Sequence, residues 1–99
     1  MDYKVKFTES FLDDLEHIVL EIARENAPAA RRLGELIIGR AEALMFFPER
    51  YPMVRQRKAL RRYVVARHFK VFYRVVAENR MVEILRCWDG RRGTDPSIP

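Results

Sequence analysis

The chain has 99 residues and a mass of 11.8 kDa; 48% of its residues are apolar and 33% are charged. This composition is ordinary for one folded domain with a single core. No stretch approaches the roughly 18 consecutive apolar residues of a membrane span, and the charged start lacks the layout of a signal peptide. We therefore expect one cytoplasmic domain over residues 1–99 that does not contact a membrane.

Cysteine and histidine are too few for the usual nucleophile and metal sites. Cys87 is the only cysteine, so it can form no internal disulfide, and its place in an apolar strand predicts a packed core thiol. His17 and His68 have no second histidine or paired carboxylate at metal-ligand spacing. A glycine-rich phosphate loop is also absent from the sequence. We expect neither a metal nor a cofactor.

The net charge of +5 is unevenly distributed along the chain. Residues 1–49 contain six Lys or Arg against ten Asp or Glu, whereas residues 50–99 contain thirteen against four. Arginine outnumbers lysine by eleven to two over residues 50–92, and a planar guanidinium suits bidentate recognition. The C-terminal half therefore predicts a surface for phosphates or for an acidic protein segment. The alternative is a solvated sheet surface whose arginines extend over apolar neighbours.

The N-terminal half predicts a strand followed by two helices. Residues 3–7 alternate apolar and polar side chains, as in a strand with one buried face. Ser10 and Asp13 resemble a capping box at the start of the first helix. Apolar residues at helical spacing continue on both sides of Pro28, which we place in the first turn of the second helix, with Asn26 or its neighbour in the connection.

The C-terminal half predicts three strands, at residues 60–66, 69–77 and 81–88, after a loop at 48–59 and before an irregular tail from about residue 89. Short turns between these strands predict an antiparallel meander. The two helices must cover one face of the sheet, because neither layer can bury its apolar side alone. The predicted fold class is α+β: an N-terminal strand, an antiparallel two-helix hairpin and a three-stranded antiparallel meander, all strands in one sheet.

Strand alternation predicts which side chains face away from the helices. If Tyr73 points into the core, Phe72 and Arg74 point outward. We assign Leu85 and Cys87 to the core as well, which leaves three outward residues on the last strand: Ile84, Arg86 and Trp88.

This outward face combines arginine with aromatic side chains. Arg74 and Arg86 would be near neighbours there, and two close guanidiniums favour an anionic partner. Four further arginines extend the patch at its rim: Arg61, Arg62, Arg91 and Arg92. The alternation around residues 61–62 is ambiguous and leaves open which of that pair faces outward. Such a surface suits a protein interface or single-stranded RNA. The alternative is that Trp88 and Phe72 form a small second core beneath the C-terminal tail.

Three local signatures accompany this order of elements. The first is YKVKFT at 3–8 running into FLDDL at 11–15, and the second is LMFFP at 44–48. The third is LRR at 60–62 followed by FKVFYRV at 69–75, ILR at 84–86 and GRR at 90–92. Over residues 3–92 the chain thus resembles the RelE/ParE family of bacterial toxin–antitoxin modules.

The resemblance implies one of two activities. RelE-like members are ribonucleases that cut messenger RNA in the ribosomal A site with basic residues and a C-terminal Tyr or His, whereas ParE-like members poison DNA gyrase. Where such nucleases place an arginine, this sequence has VVA at 64–66, and Asp89 stands where a histidine is frequent. In-line RNA cleavage needs a base for the 2′-hydroxyl proton, and the sequence offers no convincing one. We therefore predict a ParE-like toxin that acts by binding.

The resemblance also implies a cognate antitoxin whose tail folds onto the toxin in a hetero-oligomer. Two alternatives stay open. One is a RelE-like ribonuclease acting at the ribosome through four arginines: Arg61, Arg74, Arg86 and Arg92. The other is a non-toxic remnant that keeps only the antitoxin-binding surface. The residues expected to bind the target or the antitoxin are Arg61, Arg62, Phe72, Arg74, Arg86, Trp88, Arg91 and Arg92.

Overall fold

The computed structural model describes residues 2–98. Its helices and strands are β1 (Lys4–Phe7), α1 (Glu9–Ala23), α2 (Ala27–Glu42), β2 (Leu60–Val65), β3 (Phe69–Val76) and β4 (Met81–Asp89). Three short 3₁₀ turns follow α2, β3 and β4, at Ala43–Met45, Ala77–Asn79 and Gly90–Arg92. The predicted α+β order is confirmed. Neither α1 nor α2, the two α-helices of the described chain, is long and apolar enough to cross a membrane.

The strands form one sheet in the order β1-β4-β3-β2. The meander of β2, β3 and β4 is antiparallel, as predicted. β1 joins the same sheet but runs parallel to β4, from Lys4 opposite Met81 to Phe7 opposite Ile84. Because β1 ends there, the last part of β4 has no strand neighbour on that side and lies open to α1.

The first helix begins two residues earlier than the predicted capping box, with Thr8 as its N-cap in place of Ser10. Thr8 has the extended backbone of an N-cap, and its hydroxyl oxygen accepts a hydrogen bond from the Phe11 N–H at 3.2 Å. Ser10 therefore lies inside the helix, and the predicted box of Ser10 with Asp13 is wrong. The same hydroxyl donates to the Ile84 carbonyl at 2.8 Å, so Thr8 also ties the start of α1 to β4.

The second helix begins as predicted. The side-chain oxygen of Asn26 accepts a hydrogen bond from the Ala29 N–H at 3.0 Å, and Pro28 lies in the first turn. Both helices pack on one face of the sheet and bury a main core with it. The completely buried members of this core include Phe11, Ile37, Ala41, Leu44, Val65, Val71, Tyr73, Val82 and Ile84.

A β-bulge changes the alternation on β4. The pairing of β3 with β4 shifts by one residue at Leu85, which has no direct partner. Ile84 therefore points into the main core, and Leu85 points to the other face. The sequence predicted Leu85 in the core and Ile84 outward. That prediction is wrong, because it assumed that side chains alternate strictly along β4. The buried place of Cys87 in the main core is confirmed.

The other face of the sheet carries a second, smaller core. Its buried members are Leu60, Phe72 and Leu85, and the partly buried Val54, Trp88 and Ile98 pack against them. Phe72 is only 1% exposed, so the expectation of an outward, exposed phenylalanine is wrong. The alternative of a small core beneath the C-terminal tail is confirmed.

Candidate binding surface on the tail-covered face

The face of the sheet opposite the helices is crossed by residues 94–98, and we call it the tail-covered face. Cross-strand pairing aligns Arg62, Phe72 and Arg86 in one row across β2, β3 and β4. Arg74 lies two residues further along β3 than Phe72, opposite Glu83. Arg74 and Arg86 therefore project to the same face of the sheet.

Lysines widen the positive charge of this face. Lys4 and Lys6 alternate with residues of β1 that pack on the main core, and Lys6 pairs with Glu83 of β4. Lys70 lies opposite Trp88. The cations of the tail-covered face are Lys4, Lys6, Arg62, Lys70, Arg74 and Arg86. The two lysines of β1 were missed in the sequence because nothing local indicates that β1 pairs with β4.

Arg86 is the most constrained of these cations. Its Nε donates to Asp14 Oδ2 at 2.6 Å and its Nη2 to Asp14 Oδ1 at 3.0 Å, which makes a bidentate pair between β4 and α1. Its Nη1 donates to the Ser97 carbonyl at 2.9 Å. Asp14 Oδ2 also accepts the Cys87 N–H at 3.1 Å. Hydrogen bonding to Asp14 raises the pKa of Arg86, so this guanidinium stays charged and fixed in place.

Trp88 lies between two arginines at the rim of the face. The guanidinium carbon of Arg92 is 4.7 Å from the centre of the indole ring, and that of Arg86 is 5.5 Å away. The indole N–H donates to the Thr94 carbonyl at 2.6 Å. The predicted grouping of Arg86, Trp88 and Arg92 is thus present, with the tail as its third component.

Arg61 lies apart from this surface. It pairs with Tyr73 and so projects to the helix side, whereas Arg62 pairs with Phe72. The guanidinium of Arg61 donates to the carbonyls of Tyr51 at 2.6 Å and Glu49 at 3.2 Å. Arg61 therefore stabilises the loop before β2. Of the two adjacent arginines, Arg62 is the one that faces away from the helices.

Arg91 also turns away from the tail-covered face. It makes a bidentate pair with Asp89, at 3.0 and 2.8 Å, and its guanidinium carbon is 5.8 Å from the centre of the Phe69 ring. The hydrogen bonds from Arg91 lower the pKa of Asp89. Asp89 is therefore an ionised partner of an arginine at neutral pH and a poor proton acceptor.

His17 lies in the same groove as the rim arginines. A groove of about 240 Å³ between α1 and the end of β4 is lined by His17, Arg86, Trp88 and Arg92. An adjoining groove of about 350 Å³ extends past Phe69. No local pattern in the sequence indicates this placement, because the position of α1 beside β4 depends on the packing of the whole helix pair.

Binding is the chemistry that these groups favour. Asp14 and Asp89, the two carboxylates that line the groove with Arg86 and Arg92, are each held by a guanidinium. Cys87 is buried, and burial raises the pKa of its thiol to about 12, so it is a poor nucleophile. Over residues 2–98 no three metal-binding side chains cluster. What the tail-covered face offers is a set of cations around a small apolar centre.

Comparison with known families agrees with this fold. Residues 5–93 match the model of the ParE toxin of the type II toxin–antitoxin system parDE. The chain belongs to the ParE toxin family. As a member it is a toxin of a type II toxin–antitoxin module. No match was found among curated proteins.

Solved structures of related toxins share the fold of this ParE-family chain. A chromosomal ParDE system from P. aeruginosa matches with a TM-score of 0.73 and 19% identity, over 88% of this chain and 95% of that one. The toxin–antitoxin complex RelBE2 from Mycobacterium tuberculosis matches with 0.68 and 21% identity, over 90% and 92%. A free mutant of E. coli toxin RelE matches with 0.68 and 13% identity, over 93% and 87%.

Proposed function

We propose that this ParE-family toxin inhibits growth by binding a protein target, DNA gyrase, in the cytoplasm, and that it cleaves no RNA. The arrangement of Arg86 carries the proposal. Its guanidinium is bound by Asp14 and by the tail, and the other nearby carboxylate is held by Arg91. In-line RNA cleavage needs a base together with cations that can move onto a phosphate, whereas Arg86 and these two carboxylates are already engaged with one another or with Arg91.

A supercoiling assay with purified gyrase tests the proposal. We expect the full chain to block supercoiling, and the double variant Arg62→Glu/Arg74→Glu to be at least about tenfold weaker, because charge reversal on an interface produces repulsion. Arg67→Glu is the matched control, since Arg67 is exposed in the turn between β2 and β3. Normal supercoiling at saturating toxin would reject gyrase as the target.

We propose an antitoxin as the second partner, bound in a hetero-oligomer. Two observations support it: the matched M. tuberculosis RelBE2 structure is a toxin–antitoxin complex, and the basic tail-covered face suits an acidic segment. Co-expression with an acidic protein encoded next to this gene should restore growth and give a stable complex. Stable binding without any growth effect of the toxin alone would instead favour a non-toxic remnant.

A RelE-like ribonuclease is the second candidate function. The observation that favours it is His17, an imidazole in the same groove as Arg86 and Arg92. Mapping of RNA 5′ ends after induction would then show codon-positioned cuts. Those cuts should be lost in His17→Ala and kept in Arg61→Ala, because Arg61 lies on the helix side of the sheet. Growth arrest with intact messenger RNA would reject this candidate.

A further inference from the structure

A stretch of the chain without carboxylates forms one edge of the sheet. Between Glu49 and Glu78 the chain has nine Lys or Arg and neither Asp nor Glu. β2 lies within this stretch and is the edge strand on the side away from β1. Positive charge without interspersed acid attracts a polyanion over a distance. A polyanion that approaches the edge at β2 therefore meets no repelling carboxylate from this part of the chain.

The residues before β2 fold back on it as a short hairpin. The Val54 N–H donates to the Leu60 carbonyl at 2.7 Å, and the Leu60 N–H donates to the Arg57 carbonyl at 3.3 Å. We call residues 52–62 the basic hairpin, and residues 55–59 are its tip. These main-chain hydrogen bonds hold the tip in one shape at the end of the sheet edge, so its side chains are presented from a fixed position.

The tip of the basic hairpin carries three exposed cations in four residues: Arg55, Arg57 and Lys58. The Nη2 of Arg57 donates to the Ile98 carbonyl at 3.2 Å, so this guanidinium is directed towards the tail. Within residues 2–98, Arg55 and Lys58 take part in no salt bridge. These two side chains can therefore bind an anionic partner without giving up a carboxylate of their own chain.

A cation from α2 lies further along the same edge. Arg40 is exposed, and its Nη1 donates to the Val64 carbonyl at 3.5 Å. Val64 lies four residues along β2 from Leu60, which adjoins the tip, and this distance is about 13 Å at the rise of an extended strand. In the described part of the chain Arg40 also takes part in no salt bridge. The edge thus presents cations at two separate positions.

We propose that the edge formed by the basic hairpin and Arg40 binds duplex DNA through its phosphates, without recognition of the base sequence. Arg55 and Lys58 contact one phosphate backbone, and Arg40 contacts the other across the major groove, which is about 12 Å wide. The inference goes beyond the proposed function, because it adds a nucleic acid to a protein target. None of its three contact residues belongs to the cations of the tail-covered face.

Duplex DNA suits this edge better than an acidic protein or an RNA duplex. Protein interfaces concentrate their binding energy on buried aromatic or apolar anchors, and residues 55–59 include no aromatic or large aliphatic side chain. Phosphates require only cations, and a guanidinium binds them through two parallel hydrogen bonds. The major groove of A-form RNA is deep and narrow, so it does not match two cation positions this far apart.

Fluorescence anisotropy with a labelled DNA duplex tests the proposal on the full chain. With a duplex of about 20 base pairs at about 50 mM salt, Arg55→Gln/Lys58→Gln should bind at least about tenfold more weakly than the unaltered chain. A plot of log affinity against log salt concentration should become shallower by about 1.8, because each lost phosphate contact removes about 0.9. Arg40→Gln should make it shallower by about 0.9.

The matched control is Lys4→Gln/Lys6→Gln. It removes the same charge from two exposed residues of β1, the opposite edge strand, and should keep the salt dependence of the unaltered chain. Equal weakening by both double variants would show a response to net charge alone and would overturn the proposal. Tighter binding of poly-glutamate than of the duplex would overturn it in favour of an acidic protein, and tighter binding of an RNA duplex would overturn the choice of DNA.

The binding assay contains no gyrase, so its outcome is separate from that of the proposed function. A chain that blocks supercoiling but does not bind the duplex keeps the proposed function and overturns the DNA-binding edge. A chain that binds the duplex through Arg40, Arg55 and Lys58 but leaves supercoiling unchanged supports the DNA-binding edge and rejects gyrase as the target.

Discussion

The two faces of the sheet are built in different ways. On the helix side, two helices cover a main core in which most of the large side chains are completely buried. On the other side, a few tail residues cover three buried side chains, and lysines and arginines surround them. One sheet thus has a face closed by two helices and a face covered only by a short stretch of the tail.

The two faces of the sheet therefore have different roles. The main core holds the fold together, because burial of apolar surface is the dominant favourable term in folding. The tail-covered face has only a thin cover, and thin covers with few buried contacts open more easily than cores. A surface that opens without unfolding the protein is the one that a partner can enter.

The largest expected effect comes from truncating matched residues on the two faces. Ile84→Ala in the main core should lower the free energy of unfolding by about 4 kcal/mol, and Leu60→Ala in the second core by about 2 kcal/mol, because a thinner cover relaxes around the cavity. Both residues are at most 1% exposed. A difference between the two losses of unfolding free energy therefore reflects how firmly each core is covered, and not how deeply each residue is buried. Urea unfolding measures both.

Equal losses from these two variants would contradict the comparison. They would mean that the tail supports its core as firmly as the helices support theirs. A larger loss for Leu60→Ala would place the main stabilisation of the sheet on the tail-covered face.

The next effect concerns the carboxylate that links the two faces. Asp14→Asn should cost about 2 kcal/mol of unfolding free energy, because it leaves the half-buried Arg86 without its charged partner. Asp13→Asn, one residue earlier on an exposed position of the same helix, should change stability by less than about 0.5 kcal/mol. Thermal unfolding followed by circular dichroism compares the two, and equal shifts would show that Arg86 is held by other contacts.

The sequence allowed the element order, the meander and the helix-covered face to be predicted. Alternation and helical spacing are local signals, and they placed Tyr73 and Cys87 in the core correctly. Alternation failed at Ile84 and Leu85, because a bulge is set by the pairing of two strands and leaves no clear mark in one of them.

The candidate surface was less predictable than the fold. Strand alternation was enough to place Arg74 and Arg86 on the same face of the sheet. It could not reveal the partner of Arg86, which is Asp14, 72 residues earlier in the chain. On its own helix that carboxylate has the pattern of a solvated side chain. The tail was predicted to be irregular, and its contact with Trp88 is a tertiary event that no local pattern encodes.

A third effect concerns alkaline pH and again separates the two faces. Burial raises the pKa of Cys87 from 9.0 to about 12 and that of Tyr73 from 10.0 to about 12. The unfolded chain ionises these groups at their ordinary pKa, so their stabilisation is complete below pH 9 and is lost as pH rises toward 12. Each group should contribute a slope of about 1.4 kcal/mol per pH unit.

The variant Cys87→Ala isolates the cysteine part of this effect. It should flatten the fall in stability between pH 9 and 10 and leave a fall above pH 10, to which Tyr63 and Tyr73 both contribute because burial raises the pKa of each phenol. The thiol should also react about a thousandfold more slowly with a disulfide reagent in the folded chain than after unfolding at pH 8. Rapid labelling of the Cys87 thiol under native conditions would show that the main core opens readily. The main core would then be no more firmly closed than the tail-covered face.

The smallest expected effect is on the tail itself. Asp95→Asn should change the global free energy of unfolding by less than about 0.5 kcal/mol, because its pair with Lys70 is exposed. Trp88 is the only tryptophan and its indole N–H is bonded to the tail, so quenching of its fluorescence by acrylamide reports the tail alone. Quenching should increase in Asp95→Asn and stay unchanged in the control Glu78→Gln, which alters an exposed residue of the turn before β4. A variant that loosens the tail while leaving global stability intact would show that the two faces open independently, whereas a loss of both together would make them one cooperative unit.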